Sequence, residues 1–577
     1  MANSLKKRGQ KIIRKFSKVS IKASEEGKEH IKENFIERLS HIGNIKLLIF
    51  EWSLLIFALI LLSVTQAFWF GSSYAGNAFI SGGAYTEATI GNINSLNPLF
   101  ATTNSEKVLS KLMFATLVKN DYSGHPNIGL ISSIKADKDG KIWTIKLRDN
   151  LKWSDGEPIT NEDVLFTTDI IKNPAVSTIY DANLSNVKVS ENENGEIVFS
   201  LPAAYADFIS ALNIPIIPKH ILGDVDPKTL IENSFSTSPV TSGAFTFNAT
   251  QATSINDEAT IYLSSNPNYY MGAPLLNSFA VHTYTDHDGI INAINSGSVT
   301  ATAELSEADA DKISSGQFIK KDSSLNSGAF IFFNTAKSNM SKALRLAIRQ
   351  GIDMSRIREQ AKETLALNYP LIESQIKLTN YPEIPGRDYE AAKAKINELT
   401  SEKPIKIEIA TVNSGFLPGV TNTIKEELES LGIETDVTVY EENQEFITNI
   451  ISKKNYDILV YEIELGADPD LLPYYHSSQA SSSGLNLSNY KNTLVDDLLI
   501  SARETLEENL RAKKYESFLE YWVNDVPAIA IYQPNLTYYY NKNVRTFSND
   551  VRLVTALDRF TDATDWAVNT ATKNKTP

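Results

Sequence analysis

The chain of 577 residues contains no cysteine and only seven histidines. The absence of cysteine excludes disulfides, cysteine-ligated zinc, iron–sulfur clusters, thiol nucleophiles and attachment through a lipid-modified N-terminal cysteine. The sequence patterns of phosphate-binding loops, zinc hydrolases and serine-hydrolase elbows are missing as well. We therefore expect no catalytic residue, no metal and no cofactor, and a surface enzyme that uses paired carboxylates is the weakest functional hypothesis.

Positive charge is scarce outside the N-terminus. The whole chain has a net charge of −14, residues 1–46 alone carry +7, and the remainder is therefore about −21. So acidic a body argues against nucleic-acid binding, which requires a basic footprint. The basic arm, residues 1–46, suits either contact with anionic inner-leaflet lipids or an ordinary solvated helix that only orients the chain.

One long apolar run, LLIFEWSLLIFALILLSVTQAFWF, occupies residues 47–70. As a helix it would extend about 36 Å, enough to cross a hydrocarbon core of about 30 Å. Its basic flank predicts a cytoplasmic N-terminus and places residues 71–577 outside the membrane. We predict an uncleaved signal-anchor helix. A signal peptide cleaved near Ala75 and a buried core helix are the alternatives.

The body that follows a Gly/Ser-rich linker at residues 71–83 mixes two kinds of apolar pattern. Short alternating runs such as WTIKL, EIVFSLP, AFTFNA, ATIYLSS and PIKIEIATV predict strands, and SKALRLAIRQGI or TNTIKEELESLG predict helices. The two kinds alternate most clearly after about residue 330, which predicts βαβ units there. No repeat of fixed period is present, so solenoids and propellers are not expected.

The stretch LKWSDGEPITNEDVLFT, residues 151–167, is dense enough in polar groups to suggest a catalytic loop. Its polar residues nevertheless have local structural roles. Asp155 and Gly156 predict a tight turn, since glycine tolerates positive φ. Thr160 lies three residues before Asp163, a spacing that predicts a capping box at the start of a helix. We interpret the stretch as scaffold.

Two other kinds of polar cluster leave alternatives open. HTYTDHD, His282 to Asp288, could hold a transition metal, but Asp286 or Asp288 also suits the cap of a following helix. Aromatic residues beside polar ones recur in the second half of the chain. They suit either a ligand cleft between domains or interior packing, and they lie at residues 440–446, 461–464, 474–476 and 538–540.

The 151–167 stretch is similar to the signature of the family 5 extracellular solute-binding proteins of ABC importers, the oligopeptide, dipeptide and nickel-binding group. In that signature an aromatic residue, a Ser/Asp-Gly turn, a Pro-hydrophobic-Thr unit and an Asp-Val-hydrophobic-Phe unit follow in order. Further segments resemble the family in the expected order over about residues 85–577: NINSLNPLFAT, IIPKHIL, SPVTSGAFTF, NPNYYMGAPLLNSF, INSGSVTA, FFNTAKSNMSKALRLAIRQGID, ELESLGIETDV, YDILVYEIELGADPD and SNYKNTLVDDLLISARET.

The resemblance implies an α/β fold, the periplasmic-binding-protein-like type II two-lobed clamp with an extra inserted small domain, here preceded by one transmembrane helix. It implies the following organisation: lobe one from residues 84–120, 235–325 and 530–577, the inserted small domain from 121–234, and lobe two from 326–529. The implied function is a membrane-anchored extracytoplasmic receptor that encloses a peptide between its lobes. It would be a monomer that delivers this ligand to the permease subunits of an ABC importer. A surface sensor or adhesin on the same fold is the alternative.

The family also implies where the ligand lies. An aromatic residue follows Asn-Gln-Glu in the family and lines the cleft, and Phe446 follows Asn443 in that way here. A family aspartate that pairs with the ligand's α-amino group stands three residues before an Asp-Pro unit. Here Asp468 begins the Asp-Pro unit, but Leu465 occupies the aspartate position. The nearest acids are Glu462 and Glu464, beside Tyr461. The ligand-binding residues that the resemblance implies are therefore Asn443, Phe446, Tyr461, Glu462, Glu464 and Asp468. Either Glu464 takes the amine-binding role, or the protein does not bind a free α-amino group in that way.

Overall fold

The computed structural model describes residues 46–180, 184, 186–252, 258–361, 364–401 and 404–574. The predicted basic arm therefore lies outside the described residues, apart from Lys46. The chain divides into two compact units. One unit contains residues 1–78 and 570–577, and the other contains residues 79–569.

The first unit contains helix α1 (Lys46–Tyr74) and a two-stranded sheet of β1 (Ala75–Ile80) with β21 (Asn569–Asn574). The predicted linker at 71–83 thus includes the end of this helix and strand β1. From Phe50 to Gln66 every side chain of α1 is exposed, including the large apolar ones. Among the described residues, no helix is both long enough and apolar enough to span a membrane. The anchor helix accordingly stays a prediction.

The second unit contains nineteen of the strands and most of the helices described for the chain. Its strands are β2 (Ala84–Ile90), β3 (Val118–Asn120), β4 (Pro126–Ile128), β5 (Ile131–Ala136), β6 (Ile142–Leu147), β7 (Lys188–Glu191), β8 (Ile197–Ser200), β9 (Phe245–Ala252), β10 (Ala259–Ser265), β11 (Ser278–Tyr284), β12 (Ala301–Thr302), β13 (Phe318–Ser324), β14 (Ser327–Phe333), β15 (Leu365–Ala366), β16 (Lys406–Val412), β17 (Glu434–Tyr440), β18 (Ile458–Glu464), β19 (Ala528–Gln533) and β20 (Asn535–Asn541).

Its α-helices are α2 (Asn104–Met113), α3 (Asn161–Ile171), α4 (Phe208–Ala211), α5 (Lys219–Leu222), α6 (His287–Ser296), α7 (Lys342–Gly351), α8 (Met354–Glu359), α9 (Tyr389–Thr400), α10 (Leu417–Ser430), α11 (Gln444–Phe446), α12 (Leu472–Tyr475), α13 (Thr493–Glu504) and α14 (Glu508–Asp525). Short 3₁₀ segments cover Pro98–Phe100, Pro227–Glu232, Ser234–Ser236, Glu307–Lys312, Ser477–Gln479 and Ala556–Asp565, and Ile447–Ile451 forms a π-helical turn.

A seven-stranded mixed sheet is assembled from distant parts of the chain, in the order β13-β20-β12-β2-β11-β10-β9. Its centre is parallel, because β2 pairs in parallel with both β11 and β12. Strand β20, close to the C-terminus, lies between β13 and β12. This sheet therefore cannot be completed without residues from the last tenth of the chain.

A second large sheet has six strands in the order β15-β19-β14-β18-β16-β17 and has its own apolar core. Strand β16 is parallel to both β17 and β18, and α10 connects β16 to β17. The βαβ arrangement predicted after residue 330 is thereby confirmed. Helices α13 and α14 follow β18 and α12 in the chain and are separated by residues 505–507.

A four-stranded antiparallel sheet, β5-β6-β8-β7, is built from residues 131–200. Its buried residues share one continuous apolar cluster with the seven-stranded sheet. The 151–167 stretch follows β6 and behaves as predicted. Gly156 has φ of +99°, and the Thr160 amide donates to the Asp163 carboxylate at 2.8 Å at the start of α3. The turn and capping predictions are confirmed.

The chain passes between the seven-stranded and six-stranded sheets twice. Strand β13 leads into β14 through Leu325 and Asn326, and β19 leads into β20 through Pro534. The two crossings are joined, since the Leu325 amide donates to the Pro534 carbonyl at 2.9 Å. In return, Gln533 Nε2 donates to the Leu325 carbonyl at 2.7 Å. Two short, adjacent crossings between rigid sheets are the geometry of a hinge.

Candidate functional site

A cavity of about 410 Å³ lies among the start of the seven-stranded-sheet region, the four-stranded-sheet region and the end of β18. Its lining brings together charged and aromatic groups from five separate parts of the chain. They are Lys107 and Lys111 of α2, Tyr180, Glu304, Glu464, and Asp558 and Arg559 of the 3₁₀ segment near the C-terminus. A concave site with a few convergent polar groups is the default candidate for ligand binding.

Helix α2 presents two lysines to this cavity because Lys107 and Lys111 are four residues apart on the same helical face. Lys111 is engaged, with its Nζ 3.6 Å from the buried carboxylate of Asp558. Lys107 is half-buried and forms no ion pair with any residue that the structure describes. One cationic group is thus left available to a ligand.

The start of α2 is held firmly by one buried carboxylate. Glu106 Oε2 accepts the amides of Thr102 at 2.8 Å and Thr103 at 3.0 Å, and its Oε1 accepts the amide of Asn94 at 2.7 Å. Burial opposes ionisation, but these backbone hydrogen bonds together lower the pKa of Glu106. The NINSLNPLFAT segment is therefore tied to the helix that carries Lys107, which fixes the helix in place.

The floor of the cavity contains a buried ion pair. Arg559 Nη2 lies 2.7 Å from Glu87 Oε1, with Glu87 fully buried and Arg559 3% exposed. Tyr538 donates its hydroxyl to the other Glu87 oxygen at 2.7 Å, and the Tyr85 hydroxyl lies 2.8 Å from that of Tyr538. Burial raises the pKa of Glu304 beside this pair, although the Arg559 guanidinium opposes the rise. The ion pair gives the cavity a rigid, charge-balanced floor.

Glu464 is the predicted site residue that lines the cavity. It is the last residue of β18, where it pairs with Ser327 of β14, and its side chain is exposed. Its carbonyl accepts a hydrogen bond from the Tyr474 hydroxyl. Leu465, which stands at the family's aspartate position, is only 5% exposed and belongs to the apolar core. The acidic residue that lines the cavity, Glu464, therefore stands one position before the place where the family has its aspartate.

Three more of the predicted residues lie together near the carboxyl ends of β17 and β18. Phe446 is 2% exposed and its ring centroid lies 5.6 Å from that of Tyr440 and 5.9 Å from that of Tyr461. Asn443 caps α11 by accepting the Phe446 amide at 3.0 Å. The Tyr461 hydroxyl donates to Glu442. These residues do not line the 410 Å³ cavity, and their ligand-binding role stays a prediction.

The last two predicted residues are carboxylates with internal partners. Glu462 accepts the Tyr532 hydroxyl at 2.6 Å, and burial raises the pKa of Glu462. Asp468 lies 2.8 Å from Arg511 Nη2. Neither lines the cavity. The aromatic residues at 538–540 belong to β20, and Tyr538 and Tyr539 are buried, so at these two positions the structure has interior packing.

The residues that sequence reasoning missed are Lys107, Tyr180, Glu304 and Arg559. No local pattern marks Tyr180, Glu304 or Arg559, and the four residues come from separate parts of the chain. Lys107 alone could have been identified from the sequence, because it follows the NINSLNPLFAT segment and is four residues from Lys111 on the same helical face.

The HTYTDHD cluster is accounted for by local contacts. Asp286 caps α6 by accepting the Gly289 amide at 2.8 Å, which confirms the capping interpretation. The His282 ring stacks on Tyr284 with centroids 4.3 Å apart, and His287 lies 3.2 Å from Asp309. Across the described residues no group of three or more His, Asp or Glu side chains is placed to hold a metal ion.

A larger open groove of about 1290 Å³ borders the two crossings, between β13 and the segment after β15. None of the six predicted site residues lines it. The smaller cavity, which Glu464 lines, is therefore the candidate functional site.

Two sheet regions joined by a double crossing, with a charged cavity beside the junction, are the architecture of hinged ligand-binding proteins. Residues 125–484 match the bacterial extracellular solute-binding proteins, family 5 (middle region). The chain belongs to this family.

Known relatives agree with this assignment over most of the chain. The oligopeptide-binding protein AppA of Bacillus subtilis (strain 168) is 24% identical over 484 residues, which are 79% of this chain and 87% of the relative. The structure of AppA from Bacillus subtilis, in complex with a nonapeptide, has a TM-score of 0.67 at 22% identity and covers 85% of this chain and 100% of its own.

Two further solved structures share the fold. NikZ from Campylobacter jejuni, in complex with Ni(L-His), has a TM-score of 0.70 at 19% identity and covers 84% of this chain and 99% of its own. The periplasmic binding protein DppA from Helicobacter pylori, in complex with the peptide STSA, has a TM-score of 0.69 at 20% identity and covers 85% of this chain and 98% of its own. The predicted family is confirmed, and the mixed α/β fold matches that of these binding proteins.

Proposed function

We propose that the protein is an extracytoplasmic receptor that binds short peptides in the 410 Å³ cavity and delivers them to the permease of an ABC importer. The observation that carries this proposal is the placement of Glu464 and Lys107 in one cavity. An acid and an unpaired cation together suit a zwitterionic chain, whose ammonium and carboxylate groups need opposite partners. The relatives named above, bound to a nonapeptide and to STSA, support peptides as the ligand class. The role is binding rather than catalysis.

In this proposal the regions of the three sheets act as the parts of a clamp. Lobe one comprises residues 84–120, 235–325 and 530–577, the inserted small domain comprises 121–234, and lobe two comprises 326–529. The seven- and four-stranded sheets fall within the first two of these regions. The six-stranded sheet falls within lobe two except for β19, which crosses the boundary between residues 529 and 530. Rotation about the crossings at Leu325–Asn326 and Pro534 would bring Glu464 of lobe two toward Lys107 of lobe one, enclosing the ligand.

The test uses two defined probes, the dipeptide Met-Leu and the tetrapeptide Ser-Thr-Ser-Ala, at millimolar concentration. A ligand that binds only the native state stabilises it by about 2.7 kcal/mol at a hundred times its Kd, which raises the melting temperature. We expect at least one probe, or a component of a mixed peptide pool, to raise the melting temperature. A protein that responds to none of these, but does respond to Ni(L-His), would contradict the proposed ligand class.

Glu464→Gln is expected to weaken binding of a responding peptide with a free amino terminus by about tenfold to a hundredfold. A hydrogen bond to a charged group contributes roughly 1.5–3 kcal/mol, and the amide lacks that charge. Isothermal titration would measure the change. The matched control is Glu445→Gln, which alters an exposed glutamate on α11. N-acetylation of the peptide should remove the difference between wild type and Glu464→Gln. Equal affinity of the two proteins for the free peptide would exclude Glu464 as the amine partner.

We further propose that α1 anchors the receptor, with residues 1–46 in the cytoplasm and the main domain outside. The support is the uninterrupted exposure of apolar side chains from Phe50 to Gln66 together with the basic flank before them. Protease added to intact cells should remove the main domain and leave an epitope tag at residue 1 protected. Release of the untagged main domain into the medium without protease would instead indicate cleavage near Ala75.

A further inference from the structure

A second polar contact connects the four-stranded-sheet region to the six-stranded-sheet region, away from the cavity floor. The Ala206 amide donates to the carbonyl of Arg503 at 2.7 Å. The guanidinium of Arg503 lies over the ring of Tyr205 at 4.4 Å from its centroid, and its Nη2 is 3.0 Å from Asp470 Oδ2. Tyr205 also interacts electrostatically with Asp470 and with Arg503. Residues from both regions thus meet in one polar contact.

A third carboxylate enters the same contact from the four-stranded-sheet region. Asp207 is 8% exposed, and its charge interacts with those of Asp468, Asp470 and Arg511 from the other region. Its own hydrogen bond is to a neutral group, the Ser210 hydroxyl at 2.7 Å. Asp468 and Arg511 form an ion pair at 2.8 Å whose side chains are 15% and 12% exposed. Asp207 is therefore buried without a cation of its own.

We call these residues the acidic contact: Tyr205, Asp207, Asp468, Asp470, Arg503 and Arg511. It holds three carboxylates against two guanidiniums, so with every acid ionised it carries one uncompensated negative charge. Among the residues that the structure describes, the other titratable groups that interact with it do not supply a cation. Tyr515 is buried among these carboxylates, and Glu508 adds a further negative charge near Asp468. A buried excess charge is unfavourable unless it is neutralised.

The electrostatics of the individual groups agree with this charge count. Burial, reinforced by the charge of Asp468, raises the pKa of Asp207 well above its ordinary value. Burial raises the pKa of Asp468 to about 6 against the opposing effect of Arg511. Burial also raises the pKa of Asp470, opposed first by Arg503. The pKa values of all three carboxyl groups are thus raised, which favours proton uptake.

We propose that the acidic contact is a proton-linked clasp of the clamp: the two regions come together with uptake of one proton, held by Asp207, and Arg503 positions the clasp. In effect, acidification would favour the closed arrangement. The inference rests on the proposed function only in linking closure to retention of a peptide. The contact itself can be tested without any ligand.

The direction in which pH changes the closed-to-open equilibrium follows from thermodynamic linkage. When the regions separate, the three carboxyl groups meet water and their pKa values fall toward ordinary aspartate values near 4. The closed arrangement therefore binds more protons than the open one, and it gains stability as pH falls through the raised pKa values. For uptake of one proton the closed-to-open ratio rises by up to about tenfold per pH unit, over a range that includes pH 6.

The absence of cysteine makes a distance measurement straightforward in the full chain, purified in detergent. Spin labels at Glu193→Cys and Lys491→Cys would report the separation of the two regions, since both positions are exposed. Without peptide, we expect the short-distance population to grow between pH 8 and pH 5.5. Asp207→Asn should show that population already at pH 8, with a much smaller dependence on pH. Asp139→Asn, an exposed aspartate of the β5–β6 turn, is the matched control and should behave like wild type.

A second pair of variants tests the positioning role of Arg503. Arg503→Ala should shift the distances to the longer population at every pH, and Arg503→Lys should restore part of the short population, because it keeps the charge but not the planar stack on Tyr205. Peptide titrations on the same proteins separate the two proposals. If no peptide binds but the distances follow pH as described, the clasp stands and the proposed ligand class fails. If the wild-type distances ignore pH, or Asp207→Asn responds to pH as strongly as wild type, the clasp is overturned.

Discussion

Arg559→Met is expected to lower the free energy of unfolding by about 3–5 kcal/mol, because removing one partner leaves a buried charge uncompensated. Glu87 is fully buried, and its Oε1 accepts two hydrogen bonds from Arg559, from Nη2 at 2.7 Å and from Nε at 3.0 Å. After the substitution only the Tyr538 hydroxyl would still bind this carboxylate. Urea unfolding followed by circular dichroism would measure the loss.

The double variant Glu87→Gln with Arg559→Met is the decisive control for this ion pair. Replacing both charges removes the isolated carboxylate, and a neutral amide can still accept the Tyr538 hydroxyl. We expect the double variant to recover most of the lost stability, as is usual when a buried pair is replaced whole. A double variant as unstable as Arg559→Met would show that lost packing, rather than unpaired charge, dominates.

Trp153→Ala is expected to lower the free energy of unfolding by about 3–5 kcal/mol, the usual range for removal of a buried large aromatic side chain. The indole of Trp153 is fully buried in the core shared by the four- and seven-stranded sheets. Its neighbour Ser154 connects the stretch to residue 241, since the Ser154 amide donates to the Thr241 carbonyl at 2.8 Å.

Trp153→Phe serves as the matched control because it keeps an aromatic ring and leaves a smaller void. Thermal unfolding should show a much smaller loss for phenylalanine than for alanine. Ligand affinity, measured below the transition, should stay near the wild-type value in both variants if the 151–167 stretch is scaffold. A selective loss of affinity with unchanged stability would revive the catalytic or binding interpretation.

Local features of the fold were predictable because their causes are local. The turn at Gly156, the start of α3 at Thr160 and the cap at Asp286 each depend on residues within a few positions of one another. The βαβ order after residue 330 follows from apolar periodicity in the same way. None of these inferences required knowledge of which strands meet.

The candidate site was only partly predictable, because proximity in it is created by topology. Lys107, Glu304 and Arg559 meet only after β2, β12 and β20 have joined one sheet. Glu464 was identified through its distance from Asp468-Pro469, a local measure. The same measure could not separate Glu462, which faces Tyr532, from Glu464, which faces the cavity. Phe446 and Tyr461 match the pattern of aromatic residues beside polar ones, but they do not line the cavity. The same pattern also occurs where aromatic side chains only pack against one another.

The position of β20 in the seven-stranded sheet has a consequence for how the protein is made. Residues 535–541 lie between β13 and β12, so an interior strand of this sheet is synthesised long after both of its neighbours. The six-stranded sheet also waits for β19, which lies between β15 and β14. Until then both sheets have an open gap that exposes unpaired backbone edges, the feature through which chains aggregate. Both sheets can therefore be completed only after β19 and β20 have been synthesised, and the strands made before them carry an aggregation risk until then.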